Sequence, residues 1–83
     1  MYFVYILQSL VDGSYYVGST QDIKARLARH NAGRSKYTKA KRPWKLVYSE
    51  AHSDRLAAVR REQEIKDRKS RVCIERLVSA PRQ

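Results

Sequence analysis

The fold follows from four segments at the start of the chain: YFVYIL at residues 2–7, DG at 12–13, YYVG at 15–18 and IKARLARH at 23–30. The first and third segments are rich in aromatic and β-branched side chains, which favour strands, and Asp-Gly between two such runs is a strong signal for a tight hairpin turn. The last segment repeats its apolar residues at helical spacing. The sequence therefore predicts a β-hairpin that leads directly into a helix.

Two tyrosines of this hairpin, Tyr5 and Tyr16, are predicted to lie on one face of the sheet. Side chains alternate between faces along a strand, and a two-residue turn at positions 12–13 would place Leu7 opposite Gly18. In that register both phenols project to the same side. A glycine on this face leaves a gap that a ligand can approach, so Gly18 is a predicted ligand contact.

The rest of the chain predicts one more strand and two more helices. The expected elements are a first helix over about residues 21–31, capped by Ser19 and stopped by Gly33, a third strand over 44–48, a second helix from a cap at Ser53 to about residue 68, and a short last helix capped by Ser70. We expect the third strand to join the hairpin. The predicted fold class is α+β: a three-stranded antiparallel sheet flanked by helices, in the order ββαβαα. One domain is expected over residues 1–80, with a tail at 81–83.

Charge indicates the class of partner. The 83 residues include 18 Lys and Arg but only 8 Asp and Glu, which gives a net charge of +10. Such an excess attracts polyanions, nucleic acid first among them. Binding to a membrane would require an apolar helix face that the core does not need, and the sequence has none. Because Cys73 is the single cysteine, no intramolecular disulfide can form, so we expect a cytoplasmic protein, with nucleoid association if it binds DNA.

The order of four motif elements resembles the signature of the GIY-YIG nuclease superfamily. These elements are Phe3-Val4-Tyr5, Tyr16-Val17-Gly18, Arg26 and His30, with Phe3 in place of the first glycine of the motif. RPWKLVY at 42–48 and REQEIK at 61–66 are also similar to the small single-domain branch of this family. The resemblance implies the GIY-YIG fold and a metal-dependent endonuclease that hydrolyses DNA phosphodiester bonds in repair or recombination, with Mg²⁺ or Mn²⁺ as its cofactor.

Glu62 is the predicted metal ligand. On a helical wheel it lies among the apolar residues Ala58, Val59 and Ile65, where a carboxylate is costly unless it is paired. The residues alone favour an ion pair with one of the many Lys and Arg side chains. The resemblance assigns the helical glutamate to a divalent cation, for which a carboxylate oxygen is a suitable ligand.

Four residues are predicted to act on the scissile phosphate: Tyr5, Tyr16, Arg26 and His30. Without the resemblance, the tyrosines would be ordinary strand aromatics, Arg26 a surface residue and His30 a helix-end residue. A permanently charged guanidinium can stabilise the charge that develops in phosphoryl transfer, and an imidazole can move a proton or orient a tyrosine. The resemblance implies that one of the two tyrosines is a general base or proton relay, and the sequence does not distinguish between them.

The segment from Gly33 to residue 43 has no apolar period and is predicted to be an exposed basic loop. The predicted phosphate contacts are in this loop and on the first helix: Lys24, Arg34, Lys36, Lys39, Lys41 and Arg42. Gly18 is a further predicted contact for nucleic acid, and DNA is expected in preference to RNA. Two alternatives remain, namely a nucleic-acid-binding module without catalysis and an interaction module that presents its basic face to a larger protein complex.

Overall fold

The computed structural model describes residues 1–36, 38–68 and 71–79. Its elements are β1 (Tyr2–Ser9), β2 (Tyr15–Thr20), α1 (Ile23–Asn31), a 3₁₀ turn (Lys39–Lys41), β3 (Trp44–His52), α2 (Arg55–Asp67) and α3 (Arg71–Ser79). The strands form one antiparallel sheet in the order β2-β1-β3. The predicted α+β class and the order ββαβαα are confirmed. Among the described residues, no helix has the length and apolar character that a membrane span requires.

β1 is the central strand, and its side chains are buried on both faces of the sheet. Val4 and Ile6 are fully buried on the face that is covered by α2 and α3, where they meet Ile65. Tyr5 and Leu7 point to the opposite face, which α1 covers. Because both faces exclude water, β1 has no polar side, which explains its unbroken aromatic and aliphatic sequence. The protein thus has an α/β/α layering with the sheet in the middle.

A β-bulge alters β3 at Val47. Tyr48 pairs with Ile6 and Leu46 with Leu7, so Val47 is the extra residue. Consequently Val47 and Tyr48 both pack against the cluster on the α2 face. The strand then continues to His52, four residues beyond the predicted end at residue 48.

The predicted two-residue hairpin turn is wrong, although the predicted common face of the tyrosines is confirmed. The structure pairs Leu7 with Tyr16 and Tyr5 with Gly18, and a five-residue loop joins the strands at positions 10–14. Within this loop the Asp12 carboxylate accepts a hydrogen bond from the backbone of residue 14, a local bond that competes with the tighter turn. The register is displaced by two residues, and an even displacement leaves every side chain on its original face.

The helix caps also differ from the predictions. Asp22, not Ser19, caps α1 by accepting a hydrogen bond from the backbone of Ala25 at 3.0 Å. Asp54, not Ser53, caps α2 in the same way. In both cases an aspartate one to three residues further along the chain accepts the bond. Gly33 ends α1 as predicted, with a φ of +77° that glycine adopts without strain. Ser70 and the tail at 81–83 lie outside the described residues.

A polar cluster joins β3 to α2. Glu50 accepts hydrogen bonds from Arg61 Nε at 2.7 Å and from the hydroxyl of Tyr48 at 2.6 Å, and it also contacts His52. Burial raises the pKa of Glu50, but the hydrogen bonds from these three neighbours and the charge of Arg61 outweigh it and hold the pKa below its ordinary value. Arg61 also forms an ion pair with Glu64.

Candidate active site

A chain of three buried polar side chains crosses the α1 face of the sheet. Tyr5 Oη lies 3.3 Å from His30 Nε2, and His30 Nδ1 lies 2.8 Å from Thr38 Oγ1. Relative exposures are 1% for Tyr5, 3% for His30 and 0% for Thr38. The carbonyl of Thr38 is held in turn by the indole N–H of Trp44. β1, α1 and the basic loop therefore each supply one member of this hydrogen-bonded chain. The sequence predicted Tyr5 and His30 as site residues but not Thr38.

Thr38 and Tyr5 contact the two ring nitrogens of His30. Within the described residues, His30 Nδ1 is the only side-chain hydrogen-bond partner of Thr38 Oγ1, and His30 Nε2 is the only one of Tyr5 Oη. A neutral imidazole donates at one nitrogen and accepts at the other, so the ring links one hydroxyl that donates to one that accepts. Two proton arrangements fit this geometry, with the ring proton on Nε2 toward Tyr5 or on Nδ1 toward Thr38. A proton can therefore pass along the chain through the imidazole.

Both titratable members of the chain are held in their neutral forms. Burial, and then the charges of Arg26 and Arg29, lower the pKa of His30, so the imidazole is uncharged at neutral pH. Burial raises the pKa of Tyr5, and the acidic groups of Tyr16 and Glu62 raise it further, while Arg26 opposes them. Tyr5 is therefore a neutral phenol in the free protein, and a phenolate at this position would need a further cation.

Gly18 provides the space that the Tyr5 ring occupies. A Cβ atom at position 18 would lie 2.6 Å from Tyr5 Oη and 2.8 Å from Tyr5 Cζ. The gap predicted at this glycine is thus filled by the protein's own phenol, and Gly18 itself is buried. Tyr16 is half-buried, and its ring meets that of His30 edge to face, with centroids 4.9 Å apart. Of the two motif tyrosines, Tyr16 is the more accessible to water.

Arg26 lies at a cleft beside the hydrogen-bonded chain of Tyr5, His30 and Thr38. The cleft has a volume of about 510 Å³ and lies between the start of α1, the end of β2 and the start of α2. Arg26 and Arg29 of α1 line it together with Arg55 of α2 and the hydroxyl-bearing residues Ser19 and Thr20 of β2. The field of Arg26 reaches both Tyr5 and His30. The cleft can therefore hold an anion next to the buried chain.

Glu62 approaches the same strand from the opposite face. Its carboxylate accepts a hydrogen bond from Ser19 Oγ at 2.7 Å and another from Lys66 Nζ at 2.6 Å. Ser19 follows Gly18 along β2 and points to the other side of the sheet, so the edge of β2 separates Glu62 from Tyr5. The ion pair that the residues alone favoured is present, with Lys66. The structure therefore brings four of the five predicted residues together on one face and places Glu62 across the strand edge.

A divalent cation is compatible with this donor set. Among the described residues, no group of three or more His, Cys, Asp or Glu side chains is arranged to hold a metal ion. A single carboxylate suits a largely hydrated Mg²⁺ that takes further ligands from a phosphate. The side chain of Lys66 is 44% exposed and that of Glu62 20% exposed, so the ammonium can move into solvent and release one carboxylate oxygen.

The predicted phosphate contacts fall into two groups. Lys41 forms an ion pair with Asp12 at 3.4 Å, and the guanidinium of Arg42 packs over Gly33. These two are partly engaged within the protein. The others are exposed on α1 and in the loop, and they are Lys24, Arg34, Lys36 and Lys39. Tyr37 of this loop lies outside the described residues.

Sequence reasoning missed several residues of the site. Arg29 could have been found, since it follows Arg26 by three residues and neighbours it on the helix. Thr38, Ser19 and Arg55 have no local signal, because each reaches the site only through the packing of distant segments.

Comparisons with known proteins agree with this description. A family model described as the GIY-YIG catalytic domain matches residues 1–75. A UPF0213 protein of Staphylococcus haemolyticus is 50% identical over 66 residues, which are 78% of this chain and 79% of the relative. A UPF0213 protein of Staphylococcus epidermidis is 47% identical over the same shares. The solution NMR structure of a UPF0213 protein from Bacillus halodurans is similar with a TM-score of 0.59 and 41% identity, covering 95% of this chain and 84% of the other.

Proposed function

Because the chain belongs to the GIY-YIG family, which is a nuclease family, we propose that it is an endonuclease that uses a divalent cation to hydrolyse phosphodiester bonds of DNA. The observation that carries the proposal is the buried Tyr5–His30–Thr38 chain beside an arginine-lined cleft. A buried, neutral hydrogen-bonded chain has a cost in folding and is a typical feature of functional sites. A basic surface that is exposed to solvent would not need a buried hydrogen-bonded chain of this kind.

Arg26 is proposed to bind the scissile phosphate. Hydrolysis adds water across one P–O ester bond and leaves one terminal phosphate and one hydroxyl. Negative charge grows on the non-bridging oxygens in the transition state, and a guanidinium can donate two hydrogen bonds to them. Arg26 is half-buried at the cleft, where water screens its charge less than on the open surface.

The tyrosines and His30 are proposed to position the attacking water and its proton. Tyr16, the more exposed phenol, contacts the water. Tyr5 Oη lies 3.3 Å from His30 Nε2, so Tyr5 can pass its hydroxyl proton to this nitrogen while it takes a proton from the attacking water. Since the imidazole is neutral, it can take up a proton when one is released. Thr38 keeps this imidazole in one orientation.

Glu62 is proposed to hold the cation, with Ser19 as its hydrogen-bonding neighbour. A bound Mg²⁺ or Mn²⁺ would neutralise phosphate charge and lower the pKa of a water molecule in its shell. In the protein alone, Lys66 occupies the carboxylate in place of the cation.

A plasmid-nicking assay tests the proposal. Supercoiled and branched DNA would be incubated with the protein in Mg²⁺, in Mn²⁺ and in EDTA, and nicking is expected only with a metal. Arg26→Ala and Glu62→Ala should each reduce nicking by about 10²-fold or more, as is usual when a charge-stabilising group is lost. Arg60→Ala, at an exposed position of α2 outside the cleft, is the matched control and should retain activity. Equal nicking by all four proteins would remove the mechanism.

The occupied carboxylate of Glu62 favours a second candidate, a DNA-binding protein of the same fold without turnover. Both of its oxygens have partners, Ser19 and Lys66. DNA binding that is unaffected by metals, with no nicking in any of them, would identify this second function. Absence of binding to DNA and RNA would leave an interaction module within a larger complex.

A further inference from the structure

A second groove runs along the outer face of α1 and continues the cleft at Arg26. It is lined by three alanines, Ala25, Ala28 and Ala32, and by the exposed arginines Arg29 and Arg34. Ala25 and Arg29 also line the first cleft, so the two depressions adjoin at these residues. The small side chains form a low floor between the arginines. A continuous path thus leads from the basic loop across α1 to the start of α2.

Four arginines follow this path in the order Arg34, Arg29, Arg26 and Arg55. Within the described part of the chain, none of the four forms an ion pair with a carboxylate, whereas Arg61, Arg68 and Arg71 each do. The one acidic residue that lines the path is Asp22, and its carboxylate is engaged in capping α1. Unpaired guanidinium groups in a concave surface create a strong local positive potential.

We propose that this path, the α1 track, binds the sugar-phosphate backbone of a nucleic acid, with Arg29 and Arg55 holding phosphates on either side of the one held by Arg26. The inference deepens the proposed nuclease function, because it names the residues that would position the strand. α1 has nine residues and is about 13 Å long, which spans several phosphates of a strand that rises about 3.4 Å per nucleotide. The planar guanidinium matches phosphate geometry, and the alanine floor lets a backbone approach the helix closely.

The track contains two residues that were predicted neither as phosphate contacts nor as catalytic residues, Arg29 and Arg55. Of the predicted contacts it includes Arg34, whereas Lys41 and Arg42 are partly engaged within the protein. The structure therefore favours α1 over the second half of the basic loop as the primary contact with phosphates.

Fluorescence anisotropy with a labelled oligonucleotide, over a series of salt concentrations in EDTA, tests the track. Arg29→Gln and Arg55→Gln should each weaken binding by about two- to tenfold, the range for one hydrogen bond of ordinary strength at a solvent-exposed position. Each should also lower the slope of log K against log salt by about 0.7–0.9, the contribution of one phosphate contact. Both residues are exposed, so the variants should fold, as circular dichroism would verify.

Arg60→Gln and Lys45→Gln are the matched controls, since both positions are exposed and lie outside the two grooves. They should change the affinity less than twofold and leave the salt slope unaltered. If the controls lower affinity and slope as much as the track variants, or if the protein does not bind the oligonucleotide at all, the track does not exist. Because EDTA prevents cleavage, failure of nicking alone would contradict the nuclease function and leave the track intact.

Discussion

Gly18→Ala offers a direct test of the site geometry. The new methyl carbon would lie 2.6 Å from Tyr5 Oη, 2.8 Å from Cζ and 3.1 Å from Cε1. Carbon atoms in ordinary contact are about 3.5–4.0 Å apart, so the ring would have to retreat by roughly 1 Å. Tyr5 is 1% exposed and has packed neighbours on all sides, so the retreat must displace other core residues. The substitution therefore perturbs both the core and the buried chain.

The cost follows from two contributions. Overpacking of a well-packed core costs about 1–3 kcal/mol. The contact of Tyr5 Oη with His30 Nε2 is already 3.3 Å long, and a further ångström would break it, at about 1–3 kcal/mol for a buried polar pair. Because the two overlap, we expect a loss of about 2–4 kcal/mol, which in urea corresponds to a midpoint about 2 M lower for a protein of this size. The proposed DNA cleavage should fall with it, since the phenol leaves its place.

A double-mutant cycle separates a steric conflict from other causes. In a Tyr5→Leu background the nearest aromatic atoms are gone, so Gly18→Ala should cost less than about 1 kcal/mol. Gly13 is the control: its φ is +75° and its Cβ would meet no atom closer than 3.4 Å, so alanine there is strained by conformation alone. Asparagine should suit Gly13 better than alanine does, whereas at Gly18 the larger residue should be worse.

Two results would contradict this account. If Gly18→Ala unfolds at the same urea concentration as the unsubstituted protein, Tyr5 does not lie over residue 18. If it destabilises equally with and without the Tyr5 ring, the backbone and not the phenol sets the requirement for glycine.

Two further predictions concern the other polar networks. Thr38→Val should remove the hydrogen-bond partner of His30 Nδ1, whereas Thr38→Ser should keep it. The ¹⁵N shifts of the ring nitrogens should therefore change in the valine variant and not in the serine variant, and unchanged shifts in the valine variant would refute the contact of Thr38 with His30. Burial raises the pKa of Glu50, but its hydrogen bonds and the charge of Arg61 hold the pKa below the ordinary value. This carboxylate therefore stabilises the fold above the unfolded pKa of about 4.3, and the stabilisation is lost as the pH falls through the folded pKa. Glu50→Gln should reduce this loss of stability at acid pH in urea unfolding, and an identical loss in the variant would contradict the account.

The sequence could predict those features that depend on local patterns. The strand character of residues 2–7 and the helix that contains Arg26 follow from periodicity, and the structure agrees with both. The common face of Tyr5 and Tyr16 also needed a strand register, and it is confirmed because the actual register differs from the predicted one by an even number of residues. The exact turn and caps did not follow, because several neighbouring residues can satisfy the same backbone groups. An aspartate competes with a serine at each helix start, and a local hydrogen bond of Asp12 lengthens the loop.

The parts of the site that depend on tertiary packing could not be predicted. Thr38 belongs to a basic segment with no apolar period, yet it is fully buried because Trp44 and His30 both bond to it. Arg55 is the first residue of α2, and only the packing of that helix against the end of β2 brings it to the cleft. The resemblance to a family supplied Glu62 as a ligand, but it contained nothing about Lys66 or about the side of the sheet on which the carboxylate lies.

β2 is the element that connects the two halves of the site. Its alternating side chains place Tyr16 and Gly18 on the α1 face and Ser19 on the α2 face, so adjacent residues contact Tyr5 on one side and Glu62 on the other. β2 is an edge strand, and its last residues, Ser19 and Thr20, line the cleft. In the proposed mechanism, a cation at Glu62 and the guanidinium of Arg26 would act on one phosphate from opposite sides of this strand, and a change in the register of β2 would separate them.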